Sequence, residues 1–247
     1  MDENIPLMED DGWVFVANPA DKELLRELGA NADTQLEMSC EERVELLFSD
    51  ARRKDAIELG AGLPEIPPIA APEVVALYRE IIDCVLVGAH GAAITMATIL
   101  VEFALKYTVF VCEVGGYGRD DPDMWDELEQ ATFYPVTRRA CASGLIDDKQ
   151  VEILDRFREQ VRNPYAHYNV RKITKGNIWQ NVMVYNKETA QTEVRDIAAE
   201  DNPVIRAQIK PHFDRANVLI VIANADEIVR ELFRNMEAII ASNNPES

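Results

Sequence analysis

Ala92-Ala-Ile-Thr-Met-Ala-Thr-Ile-Leu-Val-Glu-Phe-Ala-Leu-Lys-Tyr-Thr-Val-Phe-Val-Cys112 is the stretch that decides the fold. It is long enough for several helical turns, and its only formally charged side chains are Glu102 and Lys106. A helix that is apolar on most sides has little to offer water, so the pattern predicts a helix at the centre of a bundle.

Working outward, Cys84 to Val101 runs uncharged for about the length of a membrane span. His90, Gly88, Gly91 and two threonines interrupt it, and Asp83 and Glu102 close it at both ends. That predicts a pair of buried core helices. Pro72 opens the preceding helix, in which Val74, Leu77, Tyr78, Ile81, Ile82 and Val85 recur at helical spacing until Gly88. Before it, Leu63-Pro-Glu-Ile-Pro-Pro-Ile-Ala-Ala-Pro72 breaks every regular pattern. This marks the expected boundary between an acidic N-terminal extension, 1–70, and a helical domain, 71–242.

Downstream, a third helix is predicted from about Met124 to Ala142, with Gly144 as its stop. A fourth starts near Asp147, turns Leu154, Phe157 and Val161 inward, and ends close to Asn163, because a residue before proline is pushed out of the helical region. The period then changes: Ile178–Tyr185 and Thr192–Ile197 are β-prone runs on either side of Asn186–Thr189, which predicts a hairpin inserted at about 178–197. From about Pro203 the helical period returns, with Pro211 as a break or kink and Ala225, Ile228, Val229, Leu232 and Phe233 on one face. Ser242 to Ser247 read as a frayed tail.

In the extension, Trp13–Ala17 reads as a short strand or buried apolar strip, followed by Asn18 as a helix cap and Pro19 at the first helical position. Ser39 and Glu42 fit a capping box, opening a helix with Val44, Leu47, Phe48 and Ala51 on one apolar face. The fold class is therefore mainly α, a helical bundle with an inserted β-hairpin.

The formal net charge of -19 argues against a general nucleic-acid binder, but the charge is uneven. Residues 1–62 carry 16 Asp/Glu against 6 Lys/Arg, whereas residues 151–175 carry 6 Lys/Arg against 3 Asp/Glu. The locally basic segment holds Arg162-Asn163-Pro164-Tyr165-Ala166-His167. Cys40, Cys84, Cys112 and Cys141 form no metal-binding pattern, which predicts unbridged thiols in a reducing compartment. The Met-Asp-Glu-Asn start lacks the features of a signal peptide, so a cytoplasmic protein with no membrane partner is expected.

Of the three histidines, His90 lies in a glycine-rich turn and His212 follows Pro211, and neither has a Cys, Asp or His at metal-ligand spacing. Both read as structural. His167 differs, because Arg162 and Asn163 precede it and Tyr165 and Tyr168 flank it, while Arg158 and Arg162 stand four residues apart on one helix.

Arg162-Asn163-x-x-x-His167 resembles the signature of the HEPN superfamily, which includes many metal-independent ribonucleases of toxin and antiviral systems. Gly91 to Lys106 is similar to the family's alanine-rich second helix, with an acidic residue before an apolar-Ala-Leu-Lys ending, and Gly144-Leu-Ile146 is also typical. The resemblance covers about residues 72–172. Toxin members often place a tyrosine two residues after the histidine, where this chain has Asn169, with Tyr168 one residue earlier.

The resemblance implies a HEPN-like bundle and a homodimer that places two Arg162/His167 pairs in one cleft. The chemistry fits the residues. Cleaving RNA through its own 2'-hydroxyl needs a base, an acid and positive charge on the phosphate. Histidine serves as acid or base near neutrality, and a forked arginine suits phosphate. No cofactor or metal is expected. Arg162, His167 and Asn163 are the candidate catalytic residues, with Asn163 positioning. Arg158, Tyr165, Tyr168, Arg171 and Lys172 are the candidate RNA contacts, against a solvated helix face for the basic residues and, as the favoured reading, packing against the bundle or dimer partner for the two tyrosines. Glu102 is a supporting carboxylate or an ordinary ion-paired one. A regulatory protein partner is a further expectation. The other reading is a non-catalytic interaction or RNA-binding module of the same fold.

Overall fold

The structure, a computed structural model, describes residues 7–10, 13–15, 39–186 and 191–243. The predicted Asn18 cap, the Pro19 helix start and most of the predicted hairpin turn lie outside the described residues. Contacts gather the chain into two compact units, Arg53–Asn169 with Asp214–Ser247, and Met1–Arg52 with Val170–Phe213. The expected division at residue 70 followed composition, whereas the contacts group segments distant in sequence.

The first of these units is the helical bundle. Its described helices run α2 (Asp50–Gly60), α3 (Pro72–Leu86), α4 (His90–Val114), α5 (Pro122–Gln130), α6 (Phe133–Ala142), α7 (Asp148–Phe157) and, after a π-helical turn at Arg158–Arg162, the single turn α8 (Asn163–Ala166). The later part of α10 (Pro203–Asn243) belongs to it as well. α4 is the central helix, touching α3, α5, α6, the π turn and α8. Ala93, Ile94, Ala97, Leu100, Val101, Ala104, Leu105 and Val109 are all buried. The alanines let neighbours approach closely, and the branched residues fill the space between. α4 has the length and apolarity to cross a membrane, yet more than half of its most apolar window is buried within the protein. His90 is buried at its start.

Pro72 stands at the start of α3, whose Val74, Tyr78, Ile81 and Val85 are buried as the spacing predicts. Ala225, Ile228, Val229, Leu232 and Phe233 of α10 are buried too. Polar pairs tie α10 into the bundle: the Tyr78 hydroxyl donates to Asp226 at 2.7 Å and the Tyr165 hydroxyl to Asp214 at 2.6 Å, while within α10 Arg230 Nε donates to the Asp226 carboxylate at 2.8 Å.

Three helical expectations need correction. The helix predicted over 124–142 is two helices, because Ala131 is extended (ψ 137°) and Thr132 caps α6 in an extended conformation. An unbroken helix would press the Pro135 ring against the Ala131 carbonyl. Gly144 ends α6 as expected, with φ 75°, its N–H donating to Cys141 O and the Leu145 N–H to Ala140 O. The fourth helix does not end near Asn163. After a capping box at Asp147 and Gln150 it widens into the π turn and stays helical to Ala166, with Asn163 at φ -65° and its N–H donating to Arg158 O. The wider turn carries the chain past Pro164 without the clash an α-turn would impose. Finally, of the break or kink expected at Pro211 the break is absent, and α10 continues through it. Pro211 and Ala207 are exposed, so water can meet the carbonyl that the proline leaves without an N–H.

The second unit is built on a four-stranded antiparallel sheet in the order β1 (Leu7–Asp10), β2 (Trp13–Phe15), β3 (Ile178–Asn186), β4 (Gln191–Ala198). The β3–β4 hairpin is the predicted one, running from Ile178↔Ala198 to Asn186↔Gln191 with an irregularity between Trp179 and Val182. β2 is the predicted Trp13 strand, whereas β1, which contains Glu9 and Asp10, has no strand signature of its own. Val184, Ile197, Ala199 and Ile205 form the small core, with Trp179, Val182 and Ile209 packed against it.

α1 (Cys40–Leu47) has the predicted Ser39/Glu42 capping box. It ends at Leu47 with Phe48 as its C-cap, so the expected face is shortened and Ala51 falls on α2; Val44 and Leu47 are about half exposed and Phe48 is 77% exposed. Helical spacing creates an apolar face but does not supply a surface to cover it. The short helix α9 (Val170–Ile173), a 3-10 turn at Ala199–Asp201 and the first part of α10 also belong to this unit.

Candidate functional site

Arg162 ends the π turn and reaches across to α4. Its Nε and Nη2 both donate to Glu102 Oε2, at 3.2 and 3.0 Å, and its Nη1 donates to Asn163 Oδ1 at 3.3 Å. Glu102 Oε1 in turn faces Lys106 Nζ at 3.3 Å, one helical turn along α4. The side chains of Arg162, Glu102 and Lys106 are 24%, 20% and 12% exposed, so the cluster is largely withdrawn from water. An arginine fork carries more N–H donors than these three contacts use, which leaves part of it available to an anion.

His167 is the residue at which α8 ends. The Tyr168 N–H donates to Tyr165 O and the Asn169 N–H to Pro164 O, a Schellman closure. The left-handed position of that closure is filled by Tyr168 at φ 47°, where glycine would be free of strain. Both His167 and Tyr168 are exposed. Among the described residues no hydrogen bond or ion pair joins the His167 imidazole to Arg162 or to any other side chain. The geometry thus brings together Arg162, Asn163 and Glu102, and leaves His167 facing solvent on the same short stretch of chain.

The remaining candidates separate. Arg158 lies beside Asp155 (3.3 Å) and Glu159 (3.1 Å), with its guanidinium 5.3 Å from the centre of the Tyr134 ring, so carboxylates already offset its charge. Tyr165, a candidate base contact whose other reading is packing against the bundle, is buried and bonded to Asp214, so the packing reading holds. Burial first, and then the Asp214 carboxylate, raise its hydroxyl pKa well above the ordinary tyrosine value. Arg171 and Lys172 are exposed on α9, which belongs to the sheet unit.

Lys106 escaped the sequence reading as a member of this cluster. Its signal was available, since Glu102 and Lys106 are four residues apart on one helix. Tyr134 lies 4.9 Å from the guanidinium of Arg138, also four residues along its helix, but its approach to Arg158 had no such signal. A shallow hollow lined by Ile146, Gln150, Leu154, Ile228 and Glu231 includes none of the motif residues. Among the described residues, no group of three or more His, Cys, Asp or Glu side chains converges as metal ligands.

No family model, no curated protein and no solved structure matches this chain. The functional reading rests on the residues and their arrangement.

Proposed function

We propose that this chain is a HEPN-type endoribonuclease that needs no metal, cleaving RNA by acid–base catalysis in a cleft formed by two copies of the chain, in the manner of toxin or defence ribonucleases. The observation that carries the reading is the division of labour within one short segment. Arg162 is oriented by Glu102 and Asn163 with donors to spare, while His167 stands exposed where α8 ends. A fixed guanidinium stabilises charge building on a phosphate, and an accessible imidazole moves a proton. One chain supplies one such imidazole, and the reaction needs an acid and a base. A two-fold partner presents the second His167 by symmetry.

A second reading is a non-catalytic binding module of the same fold. The observation favouring it is the Glu102 carboxylate already seated against Arg162. Purified protein incubated with mixed RNA in EDTA, beside His167→Ala, separates the two. The ribonuclease reading expects cleavage by the parent alone, with 2',3'-cyclic phosphate ends. RNA left intact by the folded parent, or cleaved equally by both proteins, sinks it.

A further inference from the structure

Glu102 stands between two cations and divides its oxygens between them, Oε2 to Arg162 and Oε1 to Lys106. Lys106 is itself held from the far side, donating from Nζ to the backbone oxygen of Glu129 at 3.0 Å, in the last turn of α5. A lysine there meets a carbonyl at the negative end of a helix. α5 is seated on α4 by Trp125, which packs edge-on against Phe103 (5.9 Å) and Phe110 (5.3 Å), and whose indole N–H donates to the Glu129 carboxylate at 3.0 Å. A continuous chain of contacts therefore runs from the end of α5 through Lys106 and Glu102 to the guanidinium of Arg162.

We infer that Lys106 is a positioning residue for Arg162, fixing the Glu102 carboxylate so that a single oxygen faces the guanidinium. This rests on the reading of Arg162 as the phosphate-binding group. An exposed lysine–glutamate pair one turn apart on a helix contributes little. This one differs in being mostly buried and in having its ammonium anchored to a second element. With Lys106 in place, Oε1 is occupied and the carboxylate cannot turn about its own axis. Arg162 then seats two N–H groups on Oε2 and one on Asn163, and its remaining donors keep a fixed direction. Without the ammonium, the carboxylate turns and the guanidinium turns with it.

The test reads Arg162 directly, by NMR of its side-chain Nε–H, assigned through its loss in Arg162→Lys. Lys106→Met should speed exchange of that hydrogen with water by about tenfold, the scale of one charge-assisted bond. Lys106→Arg, which restores a cation, should bring the rate back, and Glu102→Gln should raise it as Lys106→Met does. If Lys106→Met does not fold, Lys106→Gln replaces it under the same criterion. Exchange unchanged from the parent in a folded charge-free variant overturns the assignment. On RNA, Lys106→Met should lower kcat/KM by a similar factor, and an unchanged kcat/KM beside a loosened Arg162 overturns the link to the reaction. His167→Ala keeps the two readings apart. It should leave the Arg162 signal as in the parent, so that continued cleavage by that variant removes the ribonuclease reading while the exchange rates still decide the role of Lys106.

Discussion

The two ends of the motif are built in opposite ways. At the Arg162 end, side chains from α4 and the neighbouring Asn163 hold a guanidinium that is mostly withdrawn from water. At the His167 end, backbone hydrogen bonds close α8, and the imidazole faces solvent. The contrast teaches that two residues five apart can differ in support: among the described residues the guanidinium is held by side-chain partners, whereas the imidazole has none, and under the proposed reading a second copy supplies what surrounds it.

Breaking the open end should have the largest effect. His167→Ala is expected to reduce RNA cleavage by about two to four orders of magnitude, measured on end-labelled RNA in EDTA, with an unchanged far-UV circular dichroism spectrum. Arg162→Lys and Arg162→Ala come next, each losing roughly a hundredfold in kcat, because lysine keeps the charge but not the fork. If Arg162→Lys keeps most of the activity, the held guanidinium is not what the reaction uses. The contribution of a second copy is read from dilution: activity per chain should fall as the protein is diluted through its dimer dissociation range, and constant specific activity in a demonstrated monomer contradicts a shared cleft.

Smaller effects test the scaffold beneath the motif. Tyr165→Phe removes a buried donor to the Asp214 carboxylate and should cost about 2 kcal/mol in urea unfolding. Tyr165 and Tyr78 both have hydroxyl pKa values raised by burial and by an aspartate partner. Their contribution should be complete below about pH 10, where an unfolded tyrosine still holds its proton, and should decline as pH rises further. Tyr165→Phe should make that alkaline decline shallower. Smallest of all, Tyr168→Gly relieves a left-handed tyrosine and should stabilise the fold by about 1 kcal/mol. The same change should weaken RNA binding if the exposed ring stacks on a base.

What could be read from the sequence follows from how local each signal is. Pro72, the Ser39/Glu42 box and Gly144 act through backbone geometry within a few residues, and each stands where the sequence places it. The apolar spacing of α4 and of Ile228 to Phe233 reports burial directly. The misreadings arise where a local rule meets a wider context. Proline predicts an end to the helix at Asn163 and a break or kink at Pro211, but a π turn absorbs the first, and at the second the helix continues without a break. Tyr165 packs against the bundle, the reading favoured over base stacking, but its partner Asp214, far along the chain, has no local signal. Of the candidate site, Arg162, Asn163 and His167 were legible as a motif, and Glu102 as a possible companion. That the Glu102 carboxylate is divided between Arg162 and Lys106 depends on helices packed against one another, which spacing alone does not describe.

The pairing of β2 with β3 joins Phe15 to Val184, and this has a consequence for synthesis. A ribosome adding about 5–20 residues per second exposes β2 on the order of ten to thirty seconds before β3 exists to receive it. During that interval the newborn chain offers an unpaired strand edge, which is the kind of surface that nascent-chain chaperones cover. The bundle faces a delay of its own, because α10 must emerge before Val229 and Leu232 can close the core around α4. Slowing translation should therefore lengthen the time both units remain open, and pulse-labelled chains should become resistant to protease only after α10 has left the exit tunnel.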